Sequence, residues 1–313
     1  MFDLGDIANL PPRKIQRLEH VFVSHAHIDH FIGFDRLLRT LVGRDKKIAL
    51  YGPDGFIDHV HHKLLAYRWN LVDRFLSDLI FAVTEIGPDL TARTVRLRLK
   101  NAFAIEPAVD SRLVDAVLYR EPNFRVVTAI LEHRTPCLGF AIEEAAHVNI
   151  WKNRLGELDL PVGPWLRELK RAVIDNRDDH YSINVDLGSR MSGGRTMRLG
   201  ELRSAVTVTA GQKIAYVTDV ADSKANRQAI VALARNADLL FIEAAFAEAD
   251  AALAAERAHL TTTAAGAIAR EAGVRRVEPF HFSPRYSGQE TRLINEVIAA
   301  YGALPPQQPN GRS

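Results

Sequence analysis

Three histidines and one aspartate fall within six residues of the chain: His25, His27, Asp29 and His30. Neutral imidazoles and carboxylates are the side chains that bind zinc and similar first-row metal ions. The string follows an apolar run at 18–24 that predicts a strand, and it precedes a helical pattern at 31–41. Because a turn between a strand and a helix can direct several side chains at one point, the string predicts a metal site. A polar loop that happens to be rich in histidine is the alternative.

Further ligands must come from other strand ends, because one short turn cannot complete two tetrahedral or five-coordinate sites. Three residues of the right type leave an apolar strand pattern: His133 after ILE, Asp219 after IAYVT and His281 after VEPF. Taken alone, each of them is also an ordinary polar residue at the end of a strand. Together with the first string they supply seven ligands for two metal ions.

Two divalent metal ions about 3.5–4 Å apart can bridge one hydroxide, lower its pKa, and stabilise the attacking and leaving oxygens of a phosphodiester. The seven residues therefore predict hydrolysis of a phosphate ester or an acyl bond. A nucleophilic side chain has little support, since Cys137 lies in an apolar stretch and the chain has no Gly-x-Ser-x-Gly elbow. The sequence also has no Walker-type phosphate loop and no dinucleotide fingerprint.

The composition excludes several classes of protein. Of the 313 residues, 47% are hydrophobic, which is enough to bury a core and excludes disorder. Lys and Arg number 40 against 38 Asp and Glu, so any site for a polyanion must be local. The single cysteine cannot form an internal disulfide, and we expect a cytoplasmic protein. Acids near the start and charges within the apolar runs predict neither a signal peptide nor a membrane span.

Strand and helix patterns alternate in the last third of the chain, which favours sheets covered by helices. Apolar runs that predict strands occur there at 213–218, 239–243 and 276–280. Helical spacing occurs at 224–236, 247–257, 262–272 and 288–301. Earlier in the chain we expect shorter strands and loops at 79–115, and paired strands at 123–132 and 139–142.

The stretch at 151–204 has a different character, with Gly, Pro, Arg, Asp and Asn interleaved, and only 164–174 has helical spacing. We interpret it as an arm or insertion on one domain that spans 1–304. The last residues, 305–313, are rich in Pro and Gln and predict a disordered tail.

The string HAHIDH at 25–30, with His133, Asp219 and His281 in that order, resembles the metallo-β-lactamase superfamily. Six further segments are similar to the ribonuclease Z family, whose members process the 3′ ends of tRNA. These segments are LEHRTPCLGF, GPWLRELK, YVTD, ADLLFIEAAF, HLT and HFSPRY. The resemblance implies an α/β fold, specifically a four-layer αββα sandwich with an inserted arm.

The resemblance also implies a role for each candidate ligand, in a zinc-dependent hydrolase with two zinc ions. His25, His27 and His133 would hold one zinc, Asp29, His30 and His281 the other, and Asp219 would bridge them. Manganese and iron also suit such ligands. Asp29 would orient a metal-bridged hydroxide. Glu243 would hydrogen-bond His259, which would contact the scissile phosphate and help to protonate the leaving oxygen. A pair of surface residues flanking a helix is the alternative interpretation of Glu243 and His259.

Precursor tRNA is the substrate that the resemblance implies, cut on the 3′ side of the discriminator base by a homodimer. Thr261, at a helix start, and Arg285 would contact phosphate. Gly163, Pro164 and Lys170 would belong to an arm, at 151–204, that grips tRNA through its phosphates. The alternative for Arg285 is a surface arginine in a salt bridge. The alternative for the arm is a solvated insertion that does not bind RNA, because the arm carries many acidic residues.

Two other functions stay open at the level of sequence. One is a hydrolase of small or cyclic phosphodiesters, and the other is a non-catalytic, metal-bound homologue. Both are suggested by the start of the chain, because the family has an earlier strand pair before the region that matches residues 2–6. From this we expect either a misassigned start of the chain or one sheet that lacks its edge strands.

Overall fold

A computed structural model describes residues 1–186 and 194–302, so the predicted tail at 305–313 lies outside the described residues. The α-helices are α1 Pro12–Gln16, α2 Ile28–Phe31, α3 Phe34–Leu41, α4 Phe56–Leu65, α5 Lys152–Glu157, α6 Leu166–Ile174, α7 Leu199–Leu202, α8 Lys224–Ala234, α9 Ala251–Arg257, α10 Thr262–Glu271 and α11 Glu290–Gly302. Short 3₁₀ turns occur at Val72–Arg74, Leu99–Asn101, Arg203–Ala205, Glu248–Asp250 and Pro284–Tyr286. No helix in this part of the chain is long and apolar enough to cross a membrane.

The strands, in chain order, are β1 His20–Phe22, β2 Lys46–Pro53, β3 Leu79–Ile86, β4 Thr91–Arg98, β5 Val109–Arg112, β6 Val117–Arg120, β7 Phe124–Glu132, β8 Pro136–Glu144, β9 His147–Ile150, β10 Ser182–Asp186, β11 Gly194–Arg198, β12 Val206–Thr209, β13 Lys213–Val217, β14 Leu239–Glu243 and β15 Val277–Phe280. The chain divides into two compact units. The first contains Met1–Glu143 and Lys213–Ser313, and the second contains Glu144–Gln212. The segment at 151–204 lies within the second unit.

The first unit contains two sheets. One sheet has the order β1-β2-β3-β4-β5, in which β1, β2 and β3 are parallel and β3, β4 and β5 are antiparallel. The other has the order β15-β14-β13-β8-β7-β6, in which β13, β14 and β15 are parallel and β8 runs against β13. Because parallel neighbours end at the same edge of a sheet, residues that follow them lie close together.

Three apolar clusters show how the first unit is layered. One packs α3 and α4 on the first sheet around Phe34 and Phe81, and another packs α8, α10 and α11 on the second sheet. Between the sheets, Phe22, Tyr51 and Phe140 belong to a third cluster. The order of layers is helix, sheet, sheet, helix, which confirms the predicted four-layer αββα sandwich.

Two glycines hold the predicted metal string against the start of the chain. A Cβ atom on Gly5 would lie 2.4 Å from the carbonyl oxygen of Asp29, and one on Gly33 would lie 2.2 Å from the carbonyl oxygen of Gly5. Contacts this close admit only glycine at both positions. Gly33 lies between α2 and α3, which divide the helical pattern predicted at 31–41.

The strands in 79–115 differ from expectation. We expected short strands and loops, whereas β3 and β4 are eight residues each. In β4, Val95 and Leu97 are buried in the cluster that contains α3 and α4, whereas Ala92 belongs to the cluster between the sheets. Both faces of this sheet are therefore covered, as a four-layer sandwich requires.

The second unit has its own apolar cluster, which includes Leu155, Trp165, Leu169, Ile183 and Leu202. It contains α5, α6, α7 and two antiparallel pairs, β9 with β12 and β10 with β11. Only α6 was expected from helical spacing. The other elements are four to six residues long, which is too short for hydrophobic periodicity to reveal.

Candidate metal centre

The candidate ligands all lie just beyond the carboxyl ends of strands. In the second sheet β7, β13 and β15 run in one direction, and His133, Asp219 and His281 follow them. The string at 25–30 follows β1 of the facing sheet. Asp219 and His281 have left-handed backbones, with φ of 28° and 58°. Such backbones cost about 1–3 kcal/mol for residues other than glycine and are concentrated at functional sites.

The structure brings the seven predicted ligands into two groups that share Asp219. His25, His27, His133 and Asp219 form one group, and Asp29, His30, Asp219 and His281 form the other, with the ligand atoms in each lying within 4.8 Å of one another. Oδ2 of Asp219 lies 3.4 Å from Nε2 of both His25 and His30, and its Oδ1 lies 2.9 Å from Nδ1 of His281. One carboxylate thus faces both groups.

Three buried ring nitrogens in these groups have no hydrogen-bond partner among the described residues. They are Nε2 of His25, Nε2 of His30 and Nδ1 of His281. A buried polar atom without a partner costs about 1–3 kcal/mol, so native proteins rarely leave one unsatisfied. Unpaired nitrogens from three histidines that converge on one carboxylate fit the coordination of metal ions.

In His133 and His30, the ring nitrogen that faces away from the other candidate ligands contacts an acceptor of the protein. Nδ1 of His133 lies 2.8 Å from the carbonyl oxygen of Ala258, and Nδ1 of His30 lies 2.9 Å from Oδ2 of Asp3. A carbonyl oxygen can only accept a hydrogen bond, so Nδ1 of His133 carries the proton and Nε2 keeps its lone pair for a metal. Metal-binding histidines are usually held in this way by an outer acceptor.

Asp3 is the functional residue that the sequence reasoning missed. Its carboxylate is buried and accepts hydrogen bonds from the Ser24 backbone and hydroxyl at 2.7 and 3.0 Å, and from the Tyr216 hydroxyl at 2.8 Å, besides its contact with His30. The only signal was an acid within the motif at 2–6. Asp3 therefore fixes the string at 25–30 to both sheets.

The carboxylates make the centre attractive to cations. Burial raises the pKa of Asp219, but the close ring nitrogens of His25, His281 and His30 outweigh it and hold that pKa far below its usual range. Burial lowers the pKa of His30, yet Asp219 and Asp3 raise it to about 10. The carboxylates of Asp219 and Asp3 that hold a proton on His30 also favour a divalent cation in its place.

Glu243 and His259 form a pair, buried at Glu243 and partly buried at His259, beside the seven candidate ligands. Nδ1 of His259 lies 3.0 Å from Oε2 of Glu243, whose other oxygen accepts the backbone N–H of Val220 at 2.6 Å. Glu243 is fully buried, which excludes the alternative of two surface residues. Burial lowers the pKa of His259, but Glu243 outweighs it and raises that pKa above its ordinary value. Nε2 is the nitrogen that remains for a substrate.

Thr261 and Arg285 each interact with an acidic side chain of the first unit. The Thr261 hydroxyl donates to Glu248 at 2.7 Å and accepts the backbone N–H of Ala264, which makes Thr261 the N-cap of α10. Arg285 lies 3.7 Å from Asp250. Both residues fix the loops around the site in this structure, and their contact with phosphate stays a prediction.

The remaining candidate residues are not part of the two ligand groups. Gly163, Pro164 and Lys170 belong to the second unit, where Gly163 and Pro164 precede α6 and Lys170 is exposed on it. Cys137 is fully buried, and burial raises the pKa of its thiol well above the ordinary value. A thiol of this kind is not a nucleophile at neutral pH.

Two comparisons of the sequence place the chain among known proteins. A family model described as "Beta-lactamase superfamily domain" matches residues 4–192 and 187–282. The "Ribonuclease Z" of Deinococcus radiodurans is 30% identical over 298 residues, which are 95% of this chain and 84% of that protein. The chain belongs to the ribonuclease Z family. The "Ribonuclease Z" of a Synechocystis species is 29% identical and matches 93% of the chain and 75% of that relative.

Solved structures agree on the fold of this ribonuclease Z family member. The short form of human tRNase Z superposes with a TM-score of 0.51 at 20% identity, over 91% of this chain and 82% of that one. The metallo-β-lactamase fold protein YhfI from Bacillus subtilis gives a TM-score of 0.51 at 16% identity, over 96% and 81% of the two chains. At this identity the likeness concerns the fold alone.

Proposed function

We propose that the chain is a metal-dependent endoribonuclease of ribonuclease Z type that removes the 3′ trailer of precursor tRNA. The observation that carries the proposal is the pair of groups that share Asp219, with Glu243 and His259 beside them. Its family relatives named "Ribonuclease Z" support the substrate. Two substrates test it: a precursor tRNA with a 3′ trailer and a small chromogenic phosphodiester.

The seven candidate ligands fit a pair of divalent ions. His25, His27 and His133 would hold one, Asp29, His30 and His281 the other, and Asp219 would contact both. When bound, such a pair supplies a nucleophile at neutral pH and stabilises charge on the attacking and leaving oxygens. Zinc suits three or more imidazoles with carboxylates best, and manganese and iron suit the same donors.

His259 is the group that would act on the leaving oxygen. Glu243 holds Nδ1 and raises the pKa of the ring, so His259 stays protonated at higher pH than a free histidine. From Nε2 it would contact the scissile phosphate and donate a proton to the departing 3′ oxygen. Asp29, half of whose side chain is exposed, would orient the attacking water.

Replacing Asp3 is expected to weaken metal binding without touching a ligand. In Asp3→Asn the amide replaces one of the acceptor oxygens that hold His30 and Ser24, so we expect zinc affinity to fall about 10–100-fold. Competition with a chromogenic chelator measures it. Asp6→Asn is the control, since Asp6 is exposed and holds only the backbone of Ala8. Unchanged affinity in Asp3→Asn would show that His30 does not depend on Asp3.

The second unit is the proposed tRNA grip, and α6 carries three of its cations. Arg167, Lys170 and Arg171 are exposed on α6, and within residues 1–186 and 194–302 none of them makes an ion pair. Several acids of the unit are paired instead: Glu157 with Arg154, Asp175 with Arg177 and Asp179 with Arg203. Free cations on one helix suit the phosphates of a folded RNA.

Removing these three cations is expected to impair cleavage of precursor tRNA but not hydrolysis of the small diester. With Arg167, Lys170 and Arg171 all changed to Ala, kcat/KM for precursor tRNA should fall about 100-fold and its dependence on log salt should flatten by about two to three units. Hydrolysis of the small diester should stay within about twofold. Lys152, Arg154 and Arg177, all changed to Ala, remove the same charge from the same unit and are the control. Equal loss on both substrates would contradict the grip.

A hydrolase of small or cyclic phosphodiesters is the alternative function, favoured by the acids of the second unit. It predicts turnover of the small diester by a protein that leaves precursor tRNA intact. A non-catalytic, metal-bound homologue would turn over neither at full metal occupancy. The pairing of those acids with arginines favours the tRNA substrate over both.

We propose a cytoplasmic location because the proposed substrate is precursor tRNA. We propose a homodimer because the family resemblance implies one. The exposed apolar side chains Ile28, Ile32 and Leu65 support an interface between copies of the chain. The molar mass in solution, by light scattering, measures the oligomeric state.

A further inference from the structure

A cavity of about 340 Å³ adjoins His259 in the first unit. Its walls come from the turn after β13, from α8 and α9, and from the start of α10. This volume lies at the small end of the range for ligand pockets, so it suits one nucleoside rather than a longer stretch of chain. The residue shared with the candidate metal centre is His259.

Small apolar side chains create the space. Ala251, Ala254 and Ala255 project from α9 toward the cavity, and Ala264 and Ala267 project from α10. Larger side chains at these positions would close the gap between the two helices. Methyl groups on two facing helices form apolar walls, which suit the flat face of a nucleobase.

Apart from His259, the charged groups of the cavity do not suit a phosphate. Arg227 makes a two-pronged ion pair with Asp222, whose Oδ2 lies 2.7 Å from Nη2, so its charge is already matched. Glu248 adds a further carboxylate, which accepts from Thr261 at 2.7 Å. Carboxylates repel phosphate but accept hydrogen bonds from hydroxyl and amino groups. The cavity therefore suits the neutral sugar and base of a nucleotide.

The position of His259 decides which nucleoside this is. The centroid of its ring lies 4.7 Å from that of His133, a candidate metal ligand, and His259 also lines the cavity. In the proposed function, on which this inference rests, His259 acts at the leaving 3′ oxygen. We infer that the cavity beside His259 holds the nucleoside that carries this oxygen, the last one of the mature tRNA.

The test combines filled cavities with substrates that lack one base. Ala255→Leu and Ala267→Leu fill the cavity from α9 and α10 at positions that are not fully buried, and Ala252→Leu, on an exposed residue of α9 that does not line the cavity, is the control. Each protein is assayed on intact precursor tRNA, on one with an abasic nucleotide 5′ of the scissile phosphate, and on one abasic at the 3′ side. The small diester reports on folding and on the metal centre.

For the wild-type protein, loss of the 5′ base is expected to lower kcat/KM about tenfold. Each cavity variant should lower kcat/KM for the intact substrate by a similar factor. On the substrate without the 5′ base it should cause little further loss, because both changes remove the same contact. Small-diester hydrolysis should be unchanged. The inference would be overturned if loss of the 5′ base lowered kcat/KM of the filled variants as much as that of the wild-type protein. It would also be overturned if the effect of filling the cavity depended on the 3′ base instead. If the wild-type protein cleaves no precursor tRNA, the proposed function fails first and the inference fails with it.

Discussion

Asp219→Asn is expected to abolish hydrolysis of both precursor tRNA and the small diester. The substitution keeps the size of the side chain but removes the charge of the one carboxylate that faces both ligand groups. Loss of an outer partner of a metal ligand already costs about 10–100-fold, so loss of a shared ligand should cost about a thousandfold or more. Zinc content and the two rates, measured on one preparation, check the prediction.

The control for charge is Asp58→Asn, because Asp58 is exposed on α4 and is not one of the candidate ligands. It should keep wild-type zinc content and both rates. If Asp219→Asn bound the full complement of zinc and hydrolysed either substrate at the wild-type rate, Asp219 would not be a shared ligand.

His259→Ala is expected to slow cleavage of the two substrates to different extents, because their leaving groups differ in their need for a proton. The 3′ oxygen of a ribose leaves poorly without a proton, so cleavage of precursor tRNA should fall about 10²–10⁴-fold. A nitrophenolate leaves without protonation, so hydrolysis of the chromogenic diester should fall far less. Metal content should be unchanged, since the seven candidate ligands do not include His259.

His62→Ala, at an exposed histidine of α4, is the control for histidine removal and should match the wild-type protein on both substrates. Glu243→Gln should show the same pattern as His259→Ala with a smaller loss, because it keeps the ring but weakens its proton affinity. Equal loss on both substrates in His259→Ala would place His259 in metal binding or in folding instead.

The candidate ligands were predictable from sequence because each is a ligand-type residue at the end of an apolar strand. Asp219 and His281 follow β13 and β15, which are both parallel to β14 between them, so the carboxyl ends of these strands meet at one edge of the sheet. The alternation of helices and strands after residue 213 was predictable because the longer helices α8, α10 and α11 have clear periodic patterns and the strands between them are apolar runs.

Asp3 was not predictable, because its role depends on residues from two distant segments of the chain. Ser24, His30 and Tyr216 reach its carboxylate only after both sheets are in place. A lone acid near the start of a chain has no spacing that indicates such contacts. The same holds for Thr261 and Arg285, whose partners Glu248 and Asp250 come from a short turn that no periodicity predicts.

The second unit shows the limit of composition as a guide. Its interleaved Gly, Pro, Arg and Asp suggested an arm, yet Trp165 and Leu169 of α6 pack with Ile183 of β10 and Leu202 of α7 in one cluster. Short strands and short helices bury their apolar residues together without a repeating pattern. Which of its cations are free could be known only once the ion pairs of its acids were seen.

Mapping the ends of the products from a precursor tRNA with a 3′ trailer tests the proposed function most directly. Zinc-loaded protein should cut at one junction, 3′ of the discriminator nucleotide, and leave a 3′ hydroxyl, while Asp219→Asn under the same conditions should leave the precursor intact. Hydrolysis of the small diester with no cleavage of the precursor would contradict the tRNA-processing function and point to small or cyclic phosphodiesters.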